Sequence, residues 1–209
     1  MDTITICNLA LNMLGIPQIL NFDEANDNAK LCKRFFPVVR DRVLRDHPWS
    51  FAAASCKLSE LADTAPFDPR FSFVCPLPGD LLRVNEIHPG APYRIAGRNI
   101  FVTELPATLV YTRKVEDSSL FDETFAEALQ YALAAEIGMA NTRDPHLIAL
   151  YRQEYERRLA IARSIDSQEN HGAYALPPRR SHWIAARSAA LPCLPAGKLN
   201  WVEGNAGKQ

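Results

Sequence analysis

The cysteines and histidines are the side chains of this sequence best suited to metal binding or nucleophilic catalysis, and they are scattered. No two cysteines have the C-x-x-C spacing, and the histidines are equally dispersed: Cys7, Cys32, Cys56, Cys75, Cys193, His47, His88, His146, His171 and His182. Zinc sites and disulfide frameworks place cysteines at short, recurring spacings. The sequence therefore predicts no metal site and no disulfide framework, and instead small buried thiols in a reducing compartment.

Catalytic motifs are also missing from the sequence. It contains no phosphate-binding glycine loop, no G-x-S-x-G and no H-E-x-x-H. The adjacent acids Asp122 and Glu123 stand at a predicted helix start, where the helix dipole favours negative charge. We therefore predict a protein that is not an enzyme and holds no cofactor. The enzyme alternative requires a pocket in which a histidine meets a cysteine or an acid.

Length and composition set the class of protein. The chain has 209 residues, an apolar fraction of 47% and a formal net charge of −1. This length suits one compact domain with a tail, and the charge gives no bias toward nucleic acid or anionic membranes. No apolar run is long enough to span a bilayer, and the start Met1-Asp2-Thr3 lacks the basic residues of a signal peptide. We expect folding in a cytoplasm and no membrane partner.

Residues 121–167 carry the clearest helical periodicity. Apolar residues recur at steps of three and four, first up to Ala140 and again from Leu147 onward. The break between the two runs ends in Asp144, a helix-capping residue type, and Pro145, which suits the first helical position. The pattern predicts an antiparallel helical hairpin with arms of roughly 20 residues, about 30 Å each.

Two more helices are predicted at the N-terminus, over residues 3–14 and 24–46. Gly15 is placed to end the first helix in the left-handed conformation, and Pro17 prevents its continuation. The loop between the helices is apolar at Ile19, Leu20 and Phe22, which we expect to tuck under the helices.

The second helix has a basic side, which is open to two interpretations. It is an ordinary solvated surface, or it faces an acidic partner or DNA. Its residues are Lys30, Lys33, Arg34, Arg40, Arg42 and Arg45.

Between residues 50 and 117 the pattern changes to short alternating runs separated by proline and glycine. Strands are predicted over 71–74, 81–87, 93–96, 99–103 and 107–115, with a hairpin turn at Gly97-Arg98. We expect one small, mostly antiparallel sheet of four or five strands.

The predicted fold class is α+β, mainly α. Two helical hairpins, at 1–49 and 118–167, form a four-helix bundle, the β-rich insertion occupies 50–117, and 168–209 form an extended arm. The arm lacks periodicity but carries spaced aromatic and basic residues, a composition typical of a segment that orders on a partner. A loose tail, or one packed on its own body, is the alternative. The candidate partner-binding residues are Tyr174, Arg179, Arg180, Trp183, Arg187 and Trp201.

Several short motifs occur in a characteristic order. Leu14-Gly15-Ile16-Pro17 precedes the run Asp23 to Ala29, and Phe36 to Asp41 precedes Asp46-His47-Pro48-Trp49-Ser50-Phe51-Ala52. Leu77-Pro78-Gly79-Asp80-Leu81-Leu82-Arg83-Val84 and the helical pair after Leu120-Phe121-Asp122 follow. Over roughly residues 3–167 this order resembles the head-to-tail adaptor proteins of tailed bacteriophages, of the tail tubular protein A type.

The resemblance implies a virion protein made in the bacterial host cytoplasm and located at the head-tail junction. Such adaptors form a dodecameric ring beneath the portal protein, extend the DNA channel and provide the platform for the tail nozzle or other tail proteins. Genomic DNA would pass through the ring without sequence-specific binding. The arm would reach the portal, with Trp183 and Trp201 as anchors and Arg179 and Arg180 facing portal acids, but no family motif matches it residue by residue. A head completion protein, a tail terminator and a DNA-binding module are the alternatives.

Overall fold

The computed structural model describes residues 1–62, 66, 68–141 and 144–170, and this part of the chain is α+β. It contains four α-helices and six strands. The helices are α1 (Thr3–Met13), α2 (Asp27–Asp46), α3 (Glu123–Asn141) and α4 (Pro145–Glu169). The strands are β1 (Ala53–Lys57), β2 (Phe73–Pro76), β3 (Leu81–His88), β4 (Tyr93–Ala96), β5 (Asn99–Val102) and β6 (Thr108–Arg113).

The first helix ends as its sequence predicts. Gly15 has a φ of 67°, the left-handed conformation that glycine adopts without a Cβ penalty. The amides of Gly15 and Ile16 bond back to the carbonyls of Asn12 and Leu11, each at 3.0 Å. The carbonyls at the end of α1 are thereby satisfied, and the chain turns into the loop toward α2.

The second helix begins three residues later than predicted. The Asn26 side chain caps it by accepting a hydrogen bond from the Asn28 amide at 3.0 Å. Glu24 does not enter the helix, because its Oε1 accepts from the amides of Leu20 at 2.6 Å and Asn21 at 3.2 Å. Side-chain bonds of this kind compete with helix formation at a helix start.

The hairpin of α3 and α4 follows the prediction closely. The Asp144 side chain accepts from the amides of His146 and Leu147, and Pro145 is the first residue of α4. Helix α3 contacts each of the other three helices. Its buried alanines allow close approach of the neighbouring backbones, and they are Ala126, Ala128, Ala132, Ala134 and Ala135.

Aromatic rings form the centre of the helical core. Trp49, just after α2, is 1% exposed and meets Phe125 of α3 edge-on at 5.0 Å between ring centroids. Its indole Nε1 donates to the carbonyl oxygen of Val43 at 3.0 Å. Phe51 and Phe121 pack on the same rings. The segment after α2 is therefore held against α3 from the inside of the fold.

The prediction of one sheet is wrong, because the insertion forms two three-stranded antiparallel sheets. Their strand orders are β1-β6-β3 and β2-β5-β4. Strand β1 was not predicted, since Ala53 to Lys57 are mostly small residues of low strand propensity. The β4–β5 hairpin is confirmed, with Gly97 at a φ of 60° in its turn. The two sheets share a second hydrophobic core that includes Ile100, Val102 and Leu109.

Within the described ranges, none of the helices combines the length and hydrophobicity needed to cross a membrane.

Candidate functional site

The arm was predicted to begin at residue 168, but α4 continues to Glu169, and residues 171–209 lie outside the described residues, so the role of the arm stays a prediction. This applies to every candidate partner-binding residue: Tyr174, Arg179, Arg180, Trp183, Arg187 and Trp201. The described chain ends at Asn170, directly after α4. The surfaces that the structure does describe are the basic side of α2, the joint at which α2 and α4 end, and a cleft between three helices.

The basic side of α2 is largely neutralised by acids of the same chain. Arg40 is only 5% exposed, contrary to the expectation of a solvated side chain, and its guanidinium pairs with Asp41 at 2.7 Å. Three further pairs are Lys30 with Asp27, Lys33 with Asp23 and Arg42 with Glu136, at 2.7–2.9 Å. A surface paired in this way has little charge left for phosphates, which favours the interpretation as ordinary protein surface.

The ends of α2 and α4 meet in a polar joint made of His47, Ser50, Asp166 and Asn170. The Asp166 carboxylate lies 3.0 Å from His47 Nε2 and accepts from the Ser50 amide at 3.0 Å. The Ser50 hydroxyl donates to the same carboxylate, and the Asn170 side chain donates to the Asp166 carbonyl at 3.0 Å. Buried polar groups of this kind are stable only when hydrogen-bonded. The polar joint therefore fixes the last turn of α4 against the end of α2.

The polar joint has the residue types of a serine hydrolase but not the arrangement. In a catalytic triad the histidine lies between the serine and the acid, so that it can take the serine proton. Here the carboxylate of Asp166 is central, and the hydroxyl of Ser50 donates to it rather than to the ring of His47. The joint is suited to holding two chain segments together, not to activating a nucleophile.

Two arginines extend the joint to the sheet. Arg83 of β3 donates from Nη1 to the carbonyls of Arg45 and Asp46 at 3.4 Å, and Arg163 of α4 donates to the Asp46 carbonyl at 3.4 Å. These carbonyls are at the C-terminal end of α2, where cationic side chains interact favourably with the helix dipole. The end of α2 is thus held from both the insertion and α4.

An open cleft of about 310 Å³ lies between α2, α3 and α4, and we call it the helical cleft. Its lining residues are Arg42, Asp46, Ala132, Ala135, Glu136, Arg152, Tyr155 and Glu156. Two contacts join the helices that line the cleft. The Tyr155 hydroxyl of α4 donates to Asp46 Oδ2 of α2 at 2.9 Å, and Arg42 of α2 pairs with Glu136 of α3 at 2.7 Å. Burial and the Asp46 charge raise the pKa of the Tyr155 phenol above its ordinary value. The helical cleft thus has two almost fully buried alanines at its floor and five charged residues among its eight lining residues.

The prediction of buried thiols is confirmed for Cys7, Cys32 and Cys75, whereas Cys56 is half-buried, and all four are free. The hydrogen bond with Cys32 and burial raise the pKa of the Cys7 thiol. In the part of the chain that is described, no group of three or more histidine, cysteine or acidic side chains is placed to hold a metal ion.

The comparisons with known proteins give no relative: no family model matches the sequence, and no curated protein matches it. A functional assignment therefore depends on the motifs and the geometry of this chain. The polar joint and the helical cleft escaped the sequence-based reasoning, because their residues come from separate elements without a shared motif.

Proposed function

We propose that this chain is a head-to-tail adaptor of a tailed bacteriophage. Twelve copies form a ring beneath the portal protein at the head-tail junction of the virion. The ring extends the DNA channel and provides the docking platform for the tail nozzle or other tail proteins. In this proposal α1 to α4 form a four-helix bundle that carries the two sheets as an insertion, and residues 171–209 form the arm that reaches the portal.

The observation that carries the proposal is the position of the motif residues in the fold. The motif around Gly15 ends α1, and the motif around Trp49 follows α2 and supplies the centre of the helical core. The motif around Gly79 precedes β3, where the Asp80 carbonyl accepts from the Lys114 amide at 2.7 Å. Three of the motifs that resemble the adaptor family thus lie at joints between elements, whereas Phe36 to Asp41 lie inside α2, and this placement supports the proposal.

Charge distribution agrees with a conduit for DNA. Residues 1–170 contain 18 Lys and Arg against 23 Asp and Glu, a net charge of −5, whereas 171–209 contain five against one, a net charge of +4. The net negative charge of residues 1–170 gives no overall attraction to the phosphates of passing DNA. A basic arm suits an acidic partner such as a portal surface. Duplex DNA binding by the purified protein that weakens with salt would instead support a DNA-binding module.

Electron microscopy of the purified full chain tests the ring. The protein is imaged alone and mixed with portal rings of the virus that encodes it. We expect twelvefold rings, free or only on the portal, with a mass of about 280 kDa for twelve copies of 23.4 kDa. Binding to tail components alone, or a ring of another number away from the portal, would favour a head completion protein or a tail terminator. Monomers that bind neither portal rings nor tail components would contradict the proposal.

Substitutions within the full chain test the arm. We expect Trp183→Ala combined with Trp201→Ala to weaken portal binding at least about tenfold, since buried aromatic anchors dominate interface energies. Tyr93→Ala is the control, because Tyr93 is an exposed aromatic residue of β4 in the described body. Equal portal affinity for the double variant and the control would remove the arm from the proposal.

A further inference from the structure

Two cysteines from different helices meet in the helical core. Cys7 lies in the middle of α1 and Cys32 in the first half of α2, and both are 0% exposed. Their side chains form a hydrogen bond with each other. Both belong to the hydrophobic core to which all four helices contribute. The two thiols are therefore neighbours in space, although 24 residues separate them in the sequence.

The loop between α1 and α2 is tied to the chain close to each cysteine. Asn8, directly after the first cysteine, donates to the Ile19 carbonyl at 2.9 Å and accepts from the Ile19 amide at 2.8 Å. Asn28, one helical turn before the second cysteine, donates from Nδ2 to the Pro17 carbonyl at 3.4 Å. Hydrogen bonds that do not involve sulfur thus hold the backbone beside both thiols. A disulfide needs such a defined backbone, because it tolerates only a narrow range of Cα separations.

The packing of the same loop follows the expectation only in part. Ile19 is 1% exposed and Phe22 packs against the helical core, as predicted. The expectation that Leu20 also tucks under the helices is wrong, because its side chain is 86% exposed. Ile19 and Phe22 therefore anchor the loop between the two helices that carry the cysteines.

The two thiols differ in a way that suits disulfide exchange. Their shared hydrogen bond lowers the pKa of the Cys32 thiol and, together with burial, raises the pKa of the Cys7 thiol. Cys32 is thus the sulfur that ionises first, and a thiolate is the attacking species in exchange with a disulfide. Cys7 is then placed to attack a mixed disulfide at Cys32.

Neither sulfur contacts solvent, so an oxidant reaches the pair only when α1 opens. Helix α1 contains no charged residue, and the Asp2 side chain before it forms no capping hydrogen bond. A short element near a chain end opens locally at a lower free energy than the whole fold. Oxidation is therefore slow in the native protein and, once complete, ties α1 to the longer helix α2.

We propose that Cys7 and Cys32 form a redox-controlled disulfide that fastens α1 to α2. Both remain thiols in a reducing cytoplasm, and a low-molecular-weight disulfide such as oxidised glutathione converts them. The Cys32 thiolate attacks one sulfur of that disulfide, so that a mixed disulfide forms and one thiolate leaves. The Cys7 sulfur then attacks the Cys32 sulfur, the second thiolate leaves, and the two thiolates take up the two protons that the cysteines lose. The protein is oxidised by two electrons and the small disulfide is reduced to two thiols.

This disulfide goes beyond the proposed function, which supplies only an occasion for it. A virion subunit leaves the reducing cytoplasm of its host, and its thiols are then no longer kept reduced. Formation of the bond is a property of the single chain. A result against the ring therefore leaves the disulfide standing, and a result against the disulfide leaves the ring standing.

Peptide mapping of the unaltered full chain tests the pairing. The folded protein is incubated with oxidised glutathione, the remaining free thiols are alkylated, and the chain is digested with trypsin. Cleavage after Lys30 and Lys33 places the two cysteines in separate peptides, 1–30 and 31–33. We expect a disulfide between these peptides at least about tenfold more often than any other pairing of the five cysteines, because neighbouring groups react at a high effective concentration.

Thermal unfolding of the oxidised and reduced protein tests what the bond does. The disulfide closes a loop of about 25 residues, so we expect it to raise the Tm by about 5–15 °C, and dithiothreitol to reverse the rise. Cys7→Ala and Cys32→Ala are each expected to abolish this shift. Cys75→Ala is the matched control and should keep it, because Cys75 is equally buried but lies in the core of the two sheets.

Three results would overturn the proposal, and the first two need no variant to fold. If both thiols are still alkylated after oxidation in urea just below the unfolding transition, where α1 has opened, the helices do not bring them together. If Cys7 and Cys32 end as mixed disulfides with glutathione, or pair with other cysteines, they are not partners. If the linked protein has an unchanged Tm, the bond does not fasten α1.

Discussion

His47 Nε2 lies 3.0 Å from Asp166 Oδ2, which connects the residue after α2 to the last turns of α4 across 119 positions of sequence. The same carboxylate also holds the start of the segment that leads to β1, through the amide and hydroxyl of Ser50. The polar joint thereby fixes the body at the point where residues 171–209 begin.

Asp166→Ala tests the polar joint. The substitution leaves the donors of Ser50 and His47 without their acceptor in a half-buried site, which costs about 1–3 kcal/mol of unfolding free energy. Asp166→Asn keeps an acceptor oxygen, so its free energy of unfolding is expected to fall by less than that of Asp166→Ala. Urea unfolding followed by circular dichroism measures both. An unchanged midpoint for Asp166→Ala would show that the joint contributes nothing to stability.

Substitutions of Trp49 test the aromatic centre of the helical core. The Trp49 side chain is 1% exposed, so Trp49→Ala leaves a cavity in the core. We expect the free energy of unfolding to fall by about 3–5 kcal/mol. Trp49→Phe retains an aromatic ring but loses the hydrogen bond to the Val43 carbonyl, so we expect the free energy of unfolding to fall by about 1–3 kcal/mol. The comparison is Tyr93→Ala on the exposed face of β4, expected within about 0.5 kcal/mol of the unaltered protein. In thermal or urea unfolding we expect Trp49→Ala to be the least stable variant, Trp49→Phe to be intermediate and Tyr93→Ala to be the most stable. A reversed order would contradict the prediction.

Gly15→Ala tests the left-handed turn after α1. A Cβ at Gly15 meets no atom within 4 Å, so the cost comes from the positive φ alone, at about 1–2 kcal/mol. Gly79→Ala is the matched control, because Gly79 is equally uncrowded and its φ is not positive. Differential scanning calorimetry should show a lower Tm for Gly15→Ala and little change for Gly79→Ala. Equal Tm values would argue against strain at Gly15.

The Tyr155 phenol gives a pH-dependent prediction. Burial and Asp46 raise its pKa above the ordinary 10.0, so the folded protein keeps this proton at pH values where the unfolded chain releases it. The resulting stability is complete below about pH 10 and is lost as the pH rises toward the raised folded pKa.

Urea unfolding of Tyr155→Phe between neutral pH and the alkaline range measures this effect. We expect the phenylalanine variant to lose less stability above pH 10 than the unaltered protein. Tyr93→Phe is the control and should follow the unaltered protein. Parallel alkaline profiles for Tyr155→Phe and the control would contradict the prediction.

The local features of the fold were predictable because they depend on a few adjacent residues. Gly15 ends α1, Asp144 and Pro145 start α4, and Gly97 forms the β4–β5 turn, as their residue types require. The start of α2 was predicted too early, because the bonds of Glu24 to the loop outweigh its helix propensity. Strand β1 was missed, because its pairing with β6 compensates for weak strand propensity.

The sequence by itself determined the order of the four helices and of strands β2 to β6, the cap of α4, the turns at Gly15 and Gly97, and the motifs that resemble phage adaptors. These depend on backbone preferences and on the periodicity of apolar residues, which short stretches of sequence contain. Only the tertiary structure decided that the strands divide into two sheets, that Asp166 meets His47, and that Leu20 is exposed beside a buried Ile19. The physical reason is that register, burial and side-chain pairing depend on residues far apart in sequence, and packing alone brings those residues together.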